Sequence, residues 1–255
     1  MMTALSEKNS KRFEKRGDVL RGDKKSAEVL SFTPRVEANA GELPAHEVVY
    51  RQMRELILFG ELAPGQPVTI QGICEELNVG MTPVREAIRR LCAEGALAFQ
   101  GNRRVVVPEL TVDNVNELIF ARQAIEAQLV LRATERATDA EIERLCEIDA
   151  ALDEAIERGD LRNYLEQNYR FHAYLYAMAG APILAALADG LWLRFGPSLR
   201  VVCGRLGTRN LPDQHHEALD AMRGGDAQAA AKAMREDVIQ GMEQVRRALS
   251  ESADE

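Results

Sequence analysis

The stretch NVGMTPVREAIRRLCAEG, residues 78–95, decides the fold of the first half of the chain. A tight turn precedes a Thr-Pro pair, and proline suits the first turn of a helix because its missing N–H costs nothing there. Thr82 is a good N-cap, so a helix is predicted from Thr82 to Gly95. Arg85 and Arg89, four residues apart, lie together on the face opposite an apolar one. The apolar face consists of Val84, Ala87, Ile88 and Leu91.

Short elements on both sides of this helix predict a winged helix-turn-helix. Upstream, apolar residues at helical spacing predict helices over 45–59 and 70–77, separated by the Pro/Gly-rich loop ELAPGQPVT. Downstream, two short β-type runs, 96–99 and 105–107, flank the polar loop QGNRR. The order helix, helix, turn, helix, hairpin is the layout of that DNA-binding motif.

The charge of the chain is unevenly distributed. The net charge of −8 over 255 residues, taken alone, argues against a nucleic-acid partner. Residues 1–44 carry nine Lys and Arg against seven Asp and Glu, residues 45–108 carry seven of each, and residues 109–255 carry 16 against 26. The acidity therefore belongs to the C-terminal part, and a neutral first domain can still present one basic face.

Composition favours a soluble cytoplasmic protein. Hydrophobic residues make up 46% of the chain and charged residues 28%, which is typical of a globular protein. No apolar run is long enough to span a bilayer, and residues 1–17 lack a signal-peptide core. The four cysteines have no CxxC spacing, so we interpret them as reduced packing residues and expect neither a zinc nor a redox motif.

Three segments are predicted. Residues 1–42 are a disordered polar tail, whose basic residues form either a solvated arm or one that touches DNA. Residues 43–110 form the winged domain, and residues 111–250 form an all-α antiparallel bundle, with residues 108–111 as the pivot between them. The fold class is therefore mainly α. Bundle helices are predicted over 112–136, 138–158, 161–178, 183–193, 213–223 and 226–249. The fourth of them is predicted to be bent or broken near Gly196-Pro197 and to resume to about Cys203.

The exposed face of the helix that starts at Thr82 suits DNA recognition. In a helix-turn-helix, the second helix enters the major groove with its N-terminal residues toward bases and phosphates. Thr82 suits a phosphate, while Arg85 and Arg89 suit guanine or the backbone. The alternative is that these arginines pair with Glu86 and Glu94 on an ordinary solvated helix, but the surrounding layout favours DNA. The predicted DNA-binding residues are Thr82, Arg85, Arg89, Arg90, Arg103 and Arg104.

The strings GELAPGQPVT, TPVREAIRRLCAEGAL and NRRVVV resemble the DNA-binding domain of GntR-family transcription regulators. The helical half resembles the FCD effector domain of that family's FadR branch, so the resemblance extends from about Ala45 to Leu249. It implies a homodimer that binds a double-stranded DNA operator and responds to a small carboxylate effector. Many relatives have Ser-Arg where this chain has Gly80-Met81, and often a glycine where it has Arg104. Its operator preference is therefore expected to differ from theirs.

The resemblance also implies a divalent metal site in the bundle, formed by one Asp or Asn and three His. Asn168 and His172 match the first pair of ligands and share one helix face. His216 matches the next ligand, with His215 as a surface or neighbouring residue, and Asp237 stands where relatives commonly have His. We expect a divalent ion such as Zn, Ni or Mn. The alternative is that these side chains hydrogen-bond to one another without metal.

Arg122 and Glu126 form an i,i+4 pair of opposite charge. This pair is either a structural ion pair, or it leaves Arg122 to bind the effector carboxylate, as the resemblance implies. Two other functions stay open, namely a metal-dependent helical-bundle enzyme and a dimeric DNA-binding protein without effector. The chain has no HExxH motif and no Gly-rich phosphate loop, which disfavours the enzyme.

Overall fold

The computed structural model describes residues 43–101, 104–206 and 213–253, and its fold class is the predicted one. The predicted tail, residues 1–42, lies outside the described residues. The winged domain contains α1 (Ala45–Leu58), β1 (Pro67–Val68), α2 (Ile70–Leu77), α3 (Met81–Ala93), β2 (Ala98–Gln100) and β3 (Arg104–Val106). The helical domain contains α4 (Val112–Arg136), α5 (Asp139–Arg158), α6 (Leu161–Met178), α7 (Pro182–Leu206), α8 (Gln214–Arg223) and α9 (Ala227–Ala253).

The wing is a three-stranded antiparallel sheet in the order β1-β3-β2. Phe99 of β2 pairs with Val105 of β3, and Val68 of β1 pairs with Val105 from the other side. The prediction of a loop over the whole of ELAPGQPVT was therefore wrong at its end. Val68 is buried and adds a strand, and Pro67 is tolerated because β1 is an edge strand.

The N-cap of helix α3 lies two residues earlier than predicted. Gly80 is its N-cap, in an extended conformation and without a side-chain cap, so the assignment of Thr82 as N-cap was wrong. Thr82 lies instead in the first turn, where it is exposed. The predicted apolar face is confirmed: Val84, Ala87, Ile88 and Leu91 are buried.

The bundle helices begin at well-defined caps. The Thr111 side chain accepts a hydrogen bond from the Asn114 N–H at the start of α4, and Thr138 and Glu141 form the predicted capping box at the start of α5.

Helix α4 packs along α9, α5 packs against α6, and α8 packs against both α9 and α5. Within the described ranges, no helix has the length and apolar character needed to cross a membrane.

Helix α7 is continuous where a bend or break was predicted. Pro197 lies inside it and removes one backbone hydrogen bond. Its neighbours Phe195, Gly196 and Ser198 are all buried. Packing on both sides therefore stabilises the helix through the proline.

Candidate functional site

Two arginines on α3 lie free at the surface. Arg85 and Arg89 are exposed, and neither forms an ion pair with another residue that the structure describes. Glu94, one of the two glutamates that the alternative interpretation assigned to them, is bound by Arg90 and by the Tyr50 hydroxyl. The pair therefore keeps its hydrogen-bond donors available at the surface.

Arg90 has a different environment. Its guanidinium lies 3.5 Å from the centre of the Tyr50 ring, and it pairs with Glu47 at 2.8 Å and with Glu94 at 3.1 Å. These contacts connect α3 to α1 inside the winged domain. Arg90 therefore connects the two helices, and its contact with DNA stays a prediction.

The wing adds basic and apolar side chains at the surface. Arg104 is exposed at the start of β3, while Arg103 lies outside the described residues. Phe99 of β2 is 62% exposed, and Met81 at the start of α3 is 59% exposed. A partner bound on this side of the winged domain would remove both side chains from water.

A cavity of about 230 Å³ lies inside the helical domain. It is lined by Trp192 and Phe195 of α7 and by polar side chains from five other helices. Among those polar side chains are Arg122, Asn168, His172, His215 and Asp237. The structure thus brings the predicted Arg122, Asn168, His172 and Asp237 to one cavity.

The two cavity histidines are oriented in the same way. The Nε2 atom of His172 lies 3.3 Å from Asp237 Oδ2, and the Nε2 atom of His215 lies 3.7 Å from Asp237 Oδ1. On the far side, His172 Nδ1 lies 3.1 Å from Glu126, and His215 Nδ1 lies 3.0 Å from Asp149. With a carboxylate that accepts the Nδ1 proton, loss of the Nε2 proton would leave the Nε2 lone pair directed at the centre of the cluster.

His216 is not part of this cluster. It is exposed, and its Nε2 lies 3.6 Å from Asp220 at the surface, whereas His215 is buried and stacks on Phe171 at 3.9 Å. Adjacent helical residues point about 100° apart, so only one of the two histidines can face the cavity. The placement of His216 at the site was wrong by one residue, and His215 takes its position.

Arg122 and Glu126 form a buried ion pair beside the cluster. Arg122 Nε donates to Glu126 Oε1 at 2.5 Å, and the guanidinium lies over the Phe195 ring at 4.1 Å. Burial alone would raise the pKa of Glu126, but Arg122 and His172 hold that pKa at about 2. Glu126 is therefore an anion that fixes both Arg122 and His172.

Asp237 is also an anion at neutral pH. Burial alone would raise its pKa, but the hydrogen bond from His172 and the nearby His215 lower the pKa of Asp237 to about 2. Burial likewise opposes charge on His172, yet Asp237 and Glu126 raise the pKa of this imidazole. The cluster is thus two imidazoles around one ionised carboxylate.

Sequence reasoning missed the two carboxylates behind the histidines. Asp149 and His215 are far apart in sequence, and Glu126 was considered only as the partner of Arg122. No spacing within one helix signals a contact between α5 and α8 or between α4 and α6. Only the packing of the bundle reveals these contacts.

Comparison with known proteins identifies both halves of the chain. The family described as bacterial regulatory proteins, gntR family, matches residues 45–107, and the FCD domain matches residues 117–240. The HTH-type transcriptional regulator McbR of Escherichia coli (strain K12) is 27% identical over 191 residues, 74% of this chain and 86% of McbR. The HTH-type transcriptional repressor RspR of the same strain is 26% identical over 212 residues, 83% of this chain and 93% of RspR.

Solved structures agree with this assignment. The structure of E. coli McbR/YncC matches with a TM-score of 0.74 at 26% identity, covering 83% of this chain and 99% of that one. A transcriptional regulator GntR from Rhodococcus sp. RHA1 shares the fold, with a TM-score of 0.68 at 23% identity, over 80% of this chain and 98% of that one.

A winged helix-turn-helix followed by an FCD domain defines a DNA-binding transcription regulator. The chain belongs to the gntR family of bacterial regulatory proteins. Its relatives are transcription regulators, so the enzyme alternative is not retained.

Proposed function

We propose that the protein is a homodimer that binds operator DNA through α3, and that a small carboxylate in the bundle cavity changes its affinity for DNA. The observation that best supports DNA binding is the pair Arg85 and Arg89, exposed on α3 and not engaged by any described acidic side chain. A guanidinium left free at a surface retains the fork of donors that binds guanine or phosphate.

The proposed DNA-contacting residues divide by role. Arg85 and Arg89 read base edges in the major groove, where a bidentate contact to guanine discriminates by about 1–3 kcal/mol. Thr82, in the first turn of α3, contacts phosphate together with the helix N-terminus. The wing arginines, Arg103 and Arg104, contact phosphate or the minor groove.

Dimer formation is supported by apolar side chains on the bundle surface. Phe120 of α4 is 77% exposed, and Ile183 and Leu187, one turn apart on α7, are also exposed. A second copy of the chain would cover such side chains, which are costly to leave in water. Two-fold symmetry would then present two α3 helices to two half-sites about one DNA turn apart.

The donor set fits a divalent ion such as Zn²⁺, Ni²⁺ or Mn²⁺. The ligand atoms of His172, His215 and Asp237 lie within 4.8 Å of one another, and Asn168 lines the same cavity. Carboxylates at the Nδ1 atoms orient metal-binding histidines in this way in many proteins. A bound ion would supply a Lewis-acidic partner for an effector carboxylate.

Arg122 provides a second contact for the effector. Glu126 engages its Nε and Nη2 atoms, so we assign the remaining nitrogen, Nη1, to the effector carboxylate. The ion pair and the Phe195 ring hold the guanidinium in one orientation, which lowers the entropic cost of binding. A cavity of about 230 Å³ limits the effector to a small acid.

The experiment that tests this function is selection of binding sequences from a random duplex library by the full chain. We expect an inverted repeat, bound by two chains per duplex in sedimentation and weakened by at least about tenfold when one half-site is scrambled. Enrichment of no sequence, with equal affinity for all duplexes, would contradict the proposal.

Arg104→Ala is expected to weaken binding to all sequences to a similar degree. A phosphate contact carries no sequence information, so the ratio of specific to nonspecific affinity should stay unchanged. The plot of log affinity against log salt concentration has a negative slope, and the magnitude of this slope should decrease by about one per chain. Fluorescence anisotropy over a series of salt concentrations measures it. If the variant instead lost its preference at one base pair, Arg104 would be assigned to a contact with that base.

A further inference from the structure

Helix α7 carries two neighbouring faces with different partners. Trp192, Phe195, Leu199 and Cys203 line the cavity. Asp189, Gly196 and Arg200 contact the winged domain. Because a helix advances about 100° per residue, each set occupies a narrow stripe, and the two stripes are adjacent. One rigid element is thus both a wall of the cavity and the docking site of the winged domain.

The docking contacts are close. A Cβ atom at Gly196 would lie 2.6 Å from the backbone oxygen of Leu58, so glycine allows α7 to approach the end of α1. One turn further along α7, Arg200 Nη1 donates a hydrogen bond to the backbone oxygen of Phe59 at 3.1 Å. Any rotation of α7 about its axis would change both contacts.

Three polar side chains join the domains beside this contact. Arg54 of α1 is buried, pairs with Asp189 of α7 and donates a hydrogen bond to the Tyr169 hydroxyl of α6 at 3.2 Å. The Tyr169 hydroxyl donates in turn to Asp189 Oδ1 at 2.6 Å. We call these residues the Arg54 cluster. A buried guanidinium that lost Asp189 would be left uncompensated, so the cluster favours one placement of α1 on the bundle.

The Arg54 cluster is in direct contact with the cavity wall. The Tyr169 ring meets the Trp192 ring edge to face at 5.5 Å, and Trp192 lies 5.0 Å from the His172 ring. The Arg122 guanidinium also lies 5.0 Å from the Trp192 ring. Packed side chains therefore run without interruption from the cavity residues to the winged domain.

We propose that α7 and the Arg54 cluster couple the cavity to the placement of the DNA-binding domain, with Arg54, Tyr169 and Asp189 as positioning residues. A ligand that shifts Trp192 or rotates α7 changes the Arg54 cluster, and by linkage DNA binding changes the cavity. The claim that ligand and operator affect each other rests on the proposed function. The mechanical link, namely that the cavity wall and α1 move together through α7 and the Arg54 cluster, can be tested on the free protein.

The test is hydrogen exchange of the full chain, with four variants and the emission of Trp192, the only tryptophan. Asp189→Asn and Tyr169→Phe remove polar contacts of the Arg54 cluster, and Gly196→Ala forces α7 away from Leu58. Gly190→Ala is the matched control in the same helix, because an added Cβ there meets no atom within 4 Å. Circular dichroism verifies that each variant is folded.

We expect the three interface variants to lower the protection of α1 and of α7 residues 192–203 together, by about tenfold or more, and to shift Trp192 emission. Gly190→Ala should match wild type in both measurements. Loss of protection in α1 alone, with α7 and Trp192 unchanged, would overturn the proposal, as would no change at all. If one variant does not fold, Tyr169→Phe keeps the test valid, since it retains the ring.

A second arm adds the selected operator to wild type and to Asp189→Asn. Coupling predicts that DNA changes Trp192 emission and the exchange of residues 192–203 in wild type, and that Asp189→Asn reduces both changes at least about threefold. If DNA binds but the cavity peptides do not respond, the coupling is wrong and the proposed function stands. If no DNA binds, the proposed function fails while the first arm still decides the mechanical link.

Discussion

Replacing both Arg85 and Arg89 by alanine is expected to abolish specific binding to the selected operator. Each bidentate arginine contact to guanine contributes about 1–3 kcal/mol of discrimination, so losing two should reduce operator affinity by roughly 100-fold or more. Both side chains are exposed and unpaired among the described residues, so the fold should not depend on them. Fluorescence anisotropy with labelled duplex measures the affinity, and a thermal melt verifies stability.

The matched control for this prediction is the double variant Arg144→Ala with Arg158→Ala. These arginines are also exposed, but they lie on α5 of the bundle, where they pair with Glu147 and Glu154. The control removes the same positive charge far along the chain from α3 and should change operator affinity by less than about threefold. Equal losses for the two double variants would show that only net charge matters and would contradict the role of α3.

Removing both cavity histidines is the second change with a large expected effect. Protein purified without chelator should hold close to one divalent ion per chain, and His172→Ala with His215→Ala should lower this to background. Both imidazoles direct Nε2 at Asp237, so the double variant loses two of the ligand atoms that the cluster offers. Plasma mass spectrometry of the metal content measures the result.

His216→Ala is the control that the chain itself offers. This histidine is adjacent in sequence but exposed at the surface, so its loss should leave the metal content unchanged. A metal that disappears with His216→Ala would return His216 to the site, as the original assignment had it. Wild type without metal in the presence of added Zn²⁺, Ni²⁺ or Mn²⁺ would leave the cluster as a hydrogen-bonded network.

Much of the fold could be predicted from the sequence because local signals agreed with packing. Helix α4 has the predicted bounds, 112–136, since Thr111 caps its start and the apolar period runs through it. The deviations arose where tertiary contacts outweigh local preference. Helix α7 passes through Pro197 because its neighbours are buried, and β1 forms because the edge of β3 was free to pair.

The candidate site could be predicted only in part, for a geometrical reason. The pair Asn168 and His172 follows from helical spacing alone, since residues four apart share a face. The choice between His215 and His216 depends on which face of α8 packs against the bundle. Helix α8 is short and its apolar pattern is weak, so the sequence does not determine that face. The Arg54 cluster joins α1, α6 and α7, and no pattern within one helix indicates such a contact.

The central claim, that α3 and the wing form the DNA-binding surface, is tested most directly by hydroxyl-radical footprinting of the protein with and without saturating operator. Met81 on α3 and Phe99 on the wing are exposed and readily oxidised, and Tyr174 on bundle helix α6, which is partly exposed, is an internal reference. Operator should lower the oxidation of Met81 and Phe99 severalfold and leave that of Tyr174 unchanged. Unchanged oxidation of Met81 and Phe99 under saturating operator would contradict the claim.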